Sequence, residues 1–232
     1  MRINLTNRNI SEESLNEEWL RDFIGGRGYA TRLLYEEMPA GTDALSEANK
    51  LIFALGPLTG SNMPTGGRYM VVTKSPLTGC IACSNSGGYW GNELARAGYM
   101  MVVIEGKADN PVYIWINDNK VEIGDASDVW GQDTHQTTDM IMEKVGDPKA
   151  RVACIGPAGE NLSKIACVIN DKHRAAGRSG VGAVMGSKNL KALAIKGSRK
   201  FEAANPEGVK ETLRVAMQKI KENGVTGQGL PA

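Results

Sequence analysis

Several residue types are scarce in this chain. Of its 232 residues only four are cysteine, three phenylalanine and two histidine. Cys80, Cys83, Cys154 and Cys167 are too few for a disulfide framework at this size. The formal net charge is +1, so no field strong enough to gather nucleic acid or a membrane surface is expected. No apolar run approaches the ~20 residues that span a bilayer. The opening Met1-Arg2-Ile3-Asn4-Leu5-Thr6 has no apolar core of a signal peptide, and the expected location is cytoplasmic. Familiar catalytic signatures are missing too. There is no Gly-x-Ser-x-Gly, no His-Glu-x-x-His and no Walker lysine after a glycine loop. Gly177-x-x-Gly-x-Gly has the dinucleotide spacing reversed and follows no adjacent strand. The carboxylates are scattered, with no evident acid/base pair.

What is plentiful is glycine, 28 residues, concentrated between Gly56 and Gly106 and between Gly156 and Gly197. A length of 232 residues allows one large domain or two small ones. Ser14-Leu15-Asn16-Glu17 has capping-box spacing, followed by Leu15, Trp19, Leu20 and Phe23 at helical intervals. Gly25-Gly26 stops that helix, and a second spans Gly28 to Met38, before Pro39. Strands are expected at Leu51–Leu55, Arg68–Lys74, Met101–Glu105, Arg151–Ile155, Lys164–Ile169 and Lys191–Lys196. Val112–Ile116 and Lys120–Ile123, joined through Asp118-Asn119, read as a hairpin. Helices are expected at Tyr89–Ala97, Thr134–Val145 and Val181–Ser187. Another runs from Pro206 to Glu222, with Asn205 as cap and Gly224 past its end. Gly224 to Ala232 offers no finishing element.

These elements contain a faint repeat. Leu51 to Pro57 and Val152 to Pro157 are both strands stopped by Gly-Pro. Each is followed by a second strand, a Gly-rich loop carrying arginine, a short helix and a strand ending in Ile-x-Gly, at Ile104-Glu-Gly106 and Ile195-Lys-Gly197. Two like units facing each other across a pseudo-two-fold axis, each meeting half of a two-part ligand, are one reading; chance recurrence of strand-turn grammar is the other. The two loops invite the first. Arg68 heads a strand directly after Gly66-Gly67, and Asn85 to Gly88 precede a helix start, whose free N–H groups favour anions. Arg174 and Arg178 sit among Gly, Ala and Ser, where bare backbone and planar charged forks suit a phosphate. A Gly-rich turn with two solvated arginines explains that stretch equally well. Backbone carbonyls in such loops suit Mg²⁺ if the ligand carries two phosphates.

The Cys80-Ile-Ala-Cys83 spacing is that of a metal or redox pair, but Cys154 and Cys167 do not complete a four-ligand set. Reduced thiols in a packed core are the expectation. His135 falls on a polar helix face, whereas His173 abuts Arg174 and is placed to touch a ligand.

An ordered series of motifs then resembles one family. It comprises Gly56-Pro-Leu-Thr-Gly60, Gly67-Arg-Tyr-Met-Val-Val-Thr-Lys-Ser-Pro-Leu-Thr-Gly79, Ser84-Asn-Ser-Gly-Gly88, Ala97-Gly-Tyr and Ile104-Glu-Gly-Lys107. Ala153-Cys-Ile-Gly-Pro-Ala-Gly-Glu-Asn161, Arg174-Ala-Ala-Gly-Arg178 and Gly182-Ala-Val-Met-Gly-Ser-Lys-Asn-Leu-Lys-Ala192 continue it. The series resembles the N-terminal domain of tungsten-containing aldehyde ferredoxin oxidoreductases from about Arg2 to Gly197. The resemblance implies an α+β domain of two β-rich halves with pseudo-two-fold symmetry, mixed sheets flanked by short helices. Residues 1–200 would form the cofactor-binding domain, and residues 201–232 a linking helix and the start of a helical domain. The cofactor implied is a tungsten bis-pyranopterin whose terminal phosphates are linked by Mg²⁺. Arg68 would lie between a pterin and a 4Fe–4S cluster. Asn85 and Ala175 would hold the Mg²⁺ through backbone carbonyls. Ser86, Gly87, Arg174, Gly177 and Arg178 would surround the pterin.

Departures accompany the resemblance. The family's opening Gly-Trp or Gly-Tyr segment is missing, as are its cluster cysteines, its Asp-x-x-Gly-Leu motifs and its proton-transfer Glu and His. Cys80 and Cys83 are not at cluster positions. The chain therefore reads as one part of a longer enzyme, without turnover or catalytic residues of its own. That enzyme would take aldehydes to carboxylic acids with ferredoxin as acceptor. Its partners would be the C-terminal helical domains, ferredoxin and the aldehyde, with self-association through the face those domains cover. Two alternatives stand: a related tungsten oxidoreductase subunit with another substrate, and a non-catalytic phosphate-ligand binding module.

Overall fold

The computed structural model describes residues 1–227. Strand β3 (Leu51–Leu55) is apolar and buried at every position, as a strand covered on both faces must be. It pairs antiparallel with β4 (Tyr69–Lys74) and β6 (Met101–Glu105). Beyond β6 lie β1 (Arg2–Asn4), parallel to it, and then β2 (Asn9–Ser11); beyond β4 lies β5 (Ile81–Ser86). The first sheet thus runs β2-β1-β6-β3-β4-β5.

The second sheet is built from β7 (Val112–Asn117), β8 (Lys120–Asp125), β9 (Arg151–Cys154), β10 (Val168–Asn170), β11 (Arg174–Ala176) and β12 (Leu190–Lys196). Its order, β8-β7-β12-β9-β10-β11, is that of the first sheet with every strand replaced by its counterpart six places on. The pairing senses match as well: β1 with β6 and β7 with β12 are parallel, and every other pair is antiparallel. The repeat is therefore real and longer than the motifs suggest. It begins at β1 and β7, not at Leu51 and Val152.

Helix α2 (Gly26–Glu37) lays Tyr29, Ala30, Leu33 and Leu34 on the outer face of the first sheet, against Ile52, Ala54, Val72 and Val103. In the second half α4 (Thr134–Val145) sets Ile141 against Val152, Cys154 and Ala194. The inner faces share one core, from Phe53, Tyr69 and Ile104 through Trp90 and Leu94 of α3 (Trp90–Arg96) to Ile114, Leu193 and Ile195. Helix α6 (Val181–Ser187), buried at all seven positions, lies within it. Two fully buried lysines tie loops to this core. The Lys188 ammonium donates to the carbonyls of Glu47, Asn49 and Gly106, fastening the second half to the first. Lys191 donates to the Gln132 carbonyl at 2.9 Å and pairs with Glu160, on the single-turn α5 (Pro157–Glu160).

Several expectations need correction. Helix α1 (Glu17–Phe23) is capped by Asn16, whose side chain accepts from the Trp19 amide at 3.0 Å; Ser14 takes no part. Helix α2 starts at Gly26, two residues ahead of the expected Gly28, because the chain turns at Ile24 with φ of 67°. Ser84 to Ser86 and Arg174 to Ala176, expected in loops, are strand. Lys164 to Cys167 precede the strand rather than belong to it. Helix α7 (Pro206–Glu222) forms as expected, with the Asn205 side chain accepting from Gly208 N at 2.9 Å, and none of its residues is buried. The open end expected at Gly224 to Ala232 extends outside the described residues. Among the described residues no helix is long and apolar enough to cross a membrane.

Candidate functional site

Where the two sheets meet, their terminal strands β5 and β11 lie against each other. Register places the candidate residues on this seam. Met70 pairs with both Ala54 and Asn85; in the second half Ile169 pairs with both Cys154 and Ala175. Ala54 and Cys154 are counterparts, each opposite the first matched residue of β6 or β12, Met101 and Ala192. Asn85 and Ala175 are therefore equivalent positions, one on each facing edge, and both are exposed. The same alignment makes Gly87 and Gly177 equivalent.

Beside the seam opens a cleft of about 890 Å³. Arg68, Gly87 and Arg174 line it, together with Gly67, Tyr89 and Asp171. The Arg68 guanidinium lies over Gly87, where a Cβ would come within 3.1 Å of Nη1. Asn85, Ser86 and Ala175 on the strands, and Gly177 and Arg178 just past the end of β11, flank the cleft without lining it. The side chain of Ser86 is buried, its hydroxyl donating to Asn170 Oδ1 at 2.6 Å. The Arg178 amide donates to Ser84 Oγ at 3.0 Å, across the seam. Among the described residues no carboxylate lies within 4 Å of the guanidinium groups of Arg68, Arg174 or Arg178. Three unpaired cations around one seam form a field that favours an anion.

The expectation of free amides at the helix start fails. The N-terminus of α3 is already occupied, because Asp171 Oδ2 accepts from Tyr89 N at 2.7 Å and Trp90 N at 3.3 Å. A carboxylate from the second half caps a helix of the first, as the helix dipole favours. Asn170 completes the seam: its Oδ1 also accepts from the Tyr69 hydroxyl at 2.9 Å, and its Nδ2 donates to Gly87 O at 2.8 Å. Burial pushes the Tyr69 hydroxyl far above its ordinary pKa, so it stays a donor. Sequence reasoning missed both Asn170 and Asp171. They end a strand and enter a turn with Asp171 and Lys172 at φ of 49° and 61°, where polar residues look like turn formers.

The glycines divide into two kinds. At Gly88, φ is +91° and a Cβ would meet Asp171 Oδ2 at 2.3 Å, so the seam itself demands glycine there. At Gly177 the nearest contact to a Cβ is Ala175 at 3.8 Å, leaving its backbone open to a ligand.

Cysteine and histidine depart from expectation as well. Cys80 is exposed and Cys83 half-buried, its sulfur 3.6 Å from Thr31 Oγ1, so this pair is not in the core. Cys154 is buried, and burial pushes its thiol up to about 11. His135 is exposed as expected, yet its ring lies 5.3 Å from that of His173, which borders the cleft. Among the described residues no cluster of three or more His, Cys, Asp or Glu side chains is set to hold a metal ion.

A family model described as aldehyde ferredoxin oxidoreductase, N-terminal domain, matches residues 1–197. The chain belongs to that oxidoreductase family. Among its relatives, the tungsten-containing aldehyde ferredoxin oxidoreductase of Pyrococcus horikoshii is 53% identical over 231 residues, which are 100% of this chain and 38% of the relative. An aliphatic sulfonate oxidoreductase, WOR-like subunit, of Pyrococcus furiosus is 37% identical over 91% of this chain and 36% of its own length. A solved structure, the active site complex BamBC of benzoyl coenzyme A reductase with 1,5-dienoyl-CoA, superposes with a TM-score of 0.93 and 35% identity. It covers 95% of this chain and 34% of that one. The chain thus spans a little over a third of the relatives it matches.

Proposed function

We propose that this chain is the base on which a tungsten bis-pyranopterin cofactor rests in a longer oxidoreductase that converts aldehydes to carboxylic acids, with ferredoxin as acceptor. The observation that carries the reading is the equivalence of Asn85 and Ala175 on facing edge strands, with unpaired Arg68, Arg174 and Arg178 around them. A pseudo-two-fold pair of strand positions suits a ligand with two like halves. The guanidinium forks suit its phosphates. The open backbone at Gly177 lets a flat ring approach.

When bound, the cofactor would supply two-electron oxidation chemistry, with an iron–sulfur cluster as the path to ferredoxin. This chain's residues would bind and orient it. Arg174 and Arg178 would neutralise phosphate charge. The carbonyls of Asn85 and Ala175 would take the Mg²⁺, a hard cation that prefers oxygen ligands. Arg68, standing over Gly87, would add positive charge beside the pterin. The cluster cysteines would come from outside the chain, since Cys80, Cys83, Cys154 and Cys167 do not converge. Residues 1–200 would act as the cofactor domain and residues 201–232 as the link onward, in a cytoplasmic enzyme.

A related tungsten enzyme with another substrate is the second reading, and the benzoyl coenzyme A reductase likeness supports it. The higher identity to the aldehyde enzymes, 53% against 35%, favours the first. The test is anaerobic expression from the native gene with tungstate, then metal and pterin analysis and an aldehyde-dependent dye reduction assay. Tungsten, two pterins and dye reduction are expected. A protein that takes up neither metal nor pterin would refute the reading.

A further inference from the structure

A second concave region has no role in the reading above. It has two adjoining lobes of about 550 and 390 Å³ that share Arg199, Lys200 and Phe201. The smaller lobe is polar and includes Arg96, Asn62 and Ser198. The larger is walled by Pro57, Ala95, Tyr99 and Met100.

The strip of backbone between the lobes is held residue by residue. Gly197 N donates to Glu93 Oε2 at 3.0 Å, Ser198 N to Asp118 Oδ1 at 2.8 Å, and Arg199 N to the Arg96 carbonyl at 3.0 Å. The Arg199 guanidinium lies on Gly98, whose φ is +93°; a Cβ there would sit 2.2 Å from Nη1. A side chain at Gly98 would displace that fork. Among the described residues neither Arg199 nor Lys200 has a carboxylate within 4 Å. Arg96 has one, Glu93 at 3.0 Å, and Glu93 also serves Lys196 at 3.3 Å. Three cations therefore converge on the polar lobe, offset by Glu93, which is already shared, and by Asp118, whose carboxylate accepts from the Ser198 amide and hydroxyl. The three cationic side chains are exposed, and the surplus of positive charge favours an oxyanion, to which a guanidinium fork can present two parallel N–H donors. The neighbouring lobe supplies Tyr99, Met100 and Phe201 for an apolar body. Glu202 on that wall disfavours a second negative charge there.

We propose that this two-lobed cavity binds a small phosphate monoester, with its phosphate among Arg96, Arg199 and Lys200 and its apolar body against Tyr99 and Phe201. The site is separate from the seam cleft, although Asn62 borders both.

Glycine amides distinguish the two places in an ¹⁵N correlation spectrum of the full chain titrated with phenyl phosphate. Gly60, Gly98 and Gly197 are expected to shift, with phenyl phosphate binding more tightly than inorganic phosphate. Arg199→Gln combined with Lys200→Gln should weaken binding by about tenfold or more, since each charged hydrogen bond carries that weight. Glu202→Gln should tighten it, and Arg174→Gln should leave these shifts in place. The proposal is overturned if shifts appear only at Gly67, Gly87 and Gly177, or if the double variant binds as the parent does. Equal affinity for phenyl phosphate and inorganic phosphate would remove the apolar lobe from the site.

Discussion

The two halves share every strand and its pairing sense, yet differ at the end where the seam opens. In the first half β5 has six residues and the stretch from Gly56 to Arg68 carries no helix; in the second β11 has three, and a stretch of matching length between β9 and β10 opens with α5. Arg68 aligns by register with Cys167, and Asn85 with Ala175. The first sheet carries two helices on its outer face and the second carries one. Strand pairing and core are what the duplication preserves. Charge, edge-strand length and caps are where the halves part, and those differences lie around the cleft. A symmetric frame with an asymmetric rim suits a ligand of two like halves that must be bound one way round.

Breaking the seam should have the largest effect. Asn170→Ala removes the bonds to Tyr69, Ser86 and Gly87 and strands buried partners, so a loss of about 3 kcal/mol is expected. Thermal unfolding should fall by roughly 6–12 °C for a chain of this size. A single unfolding step unchanged in midpoint would show that the halves do not depend on this residue. Lys188→Met comes next, at about 2 kcal/mol near neutral pH, since three carbonyls lose their donor while a costly buried charge goes too. Burial pulls the Lys188 ammonium down from 10.5 to about 8. Between those values the unfolded chain holds the extra proton, so the parent should gain stability relative to the variant as pH rises from 8 to 10.5. Urea titrations at pH 7 and pH 10 measure this; a constant difference would refute it.

Smaller effects sharpen the asymmetry. Asp171→Asn keeps a capping oxygen but loses the charge at the start of α3, so about 0.5–1 kcal/mol should go. It also removes the carboxylate on the cleft wall, so inorganic phosphate should bind there a few-fold more tightly, by calorimetry. Arg174→Gln should change stability by no more than about 0.5 kcal/mol while weakening phosphate about tenfold. The reverse pattern would make Arg174 structural.

Much of the frame is legible in the sequence, where apolar periodicity and punctuation agree. Helices α4, α6 and α7 and strands β3 and β6 fall at the expected residues. Strand β5 escapes notice because Ile-Ala-Cys-Ser-Asn-Ser has little intrinsic strand preference; it is a strand because β4 pairs with it from Tyr69 to Lys74. Arg174-Ala-Ala is likewise held extended by β10. The arginines are noticeable in the sequence, since a charged fork among small residues is a local pattern. Asp171 is not, because its partners Tyr89 and Trp90 lie more than eighty positions away and only the folded seam joins them.

The placement of the sheet ends bears on solubility. A sheet's last strand offers unpaired backbone to any passing chain, which is how edge-to-edge aggregation begins. Here β5 and β11 shield each other at the seam. The two outer ends are guarded otherwise: β2 is only three residues long, and β8 exposes Lys120, Glu122 and Asp125. The strands that frame the proposed ligand are thus also the ones the fold withdraws from association. A lesion that parts the seam should show first as clumping of the protein.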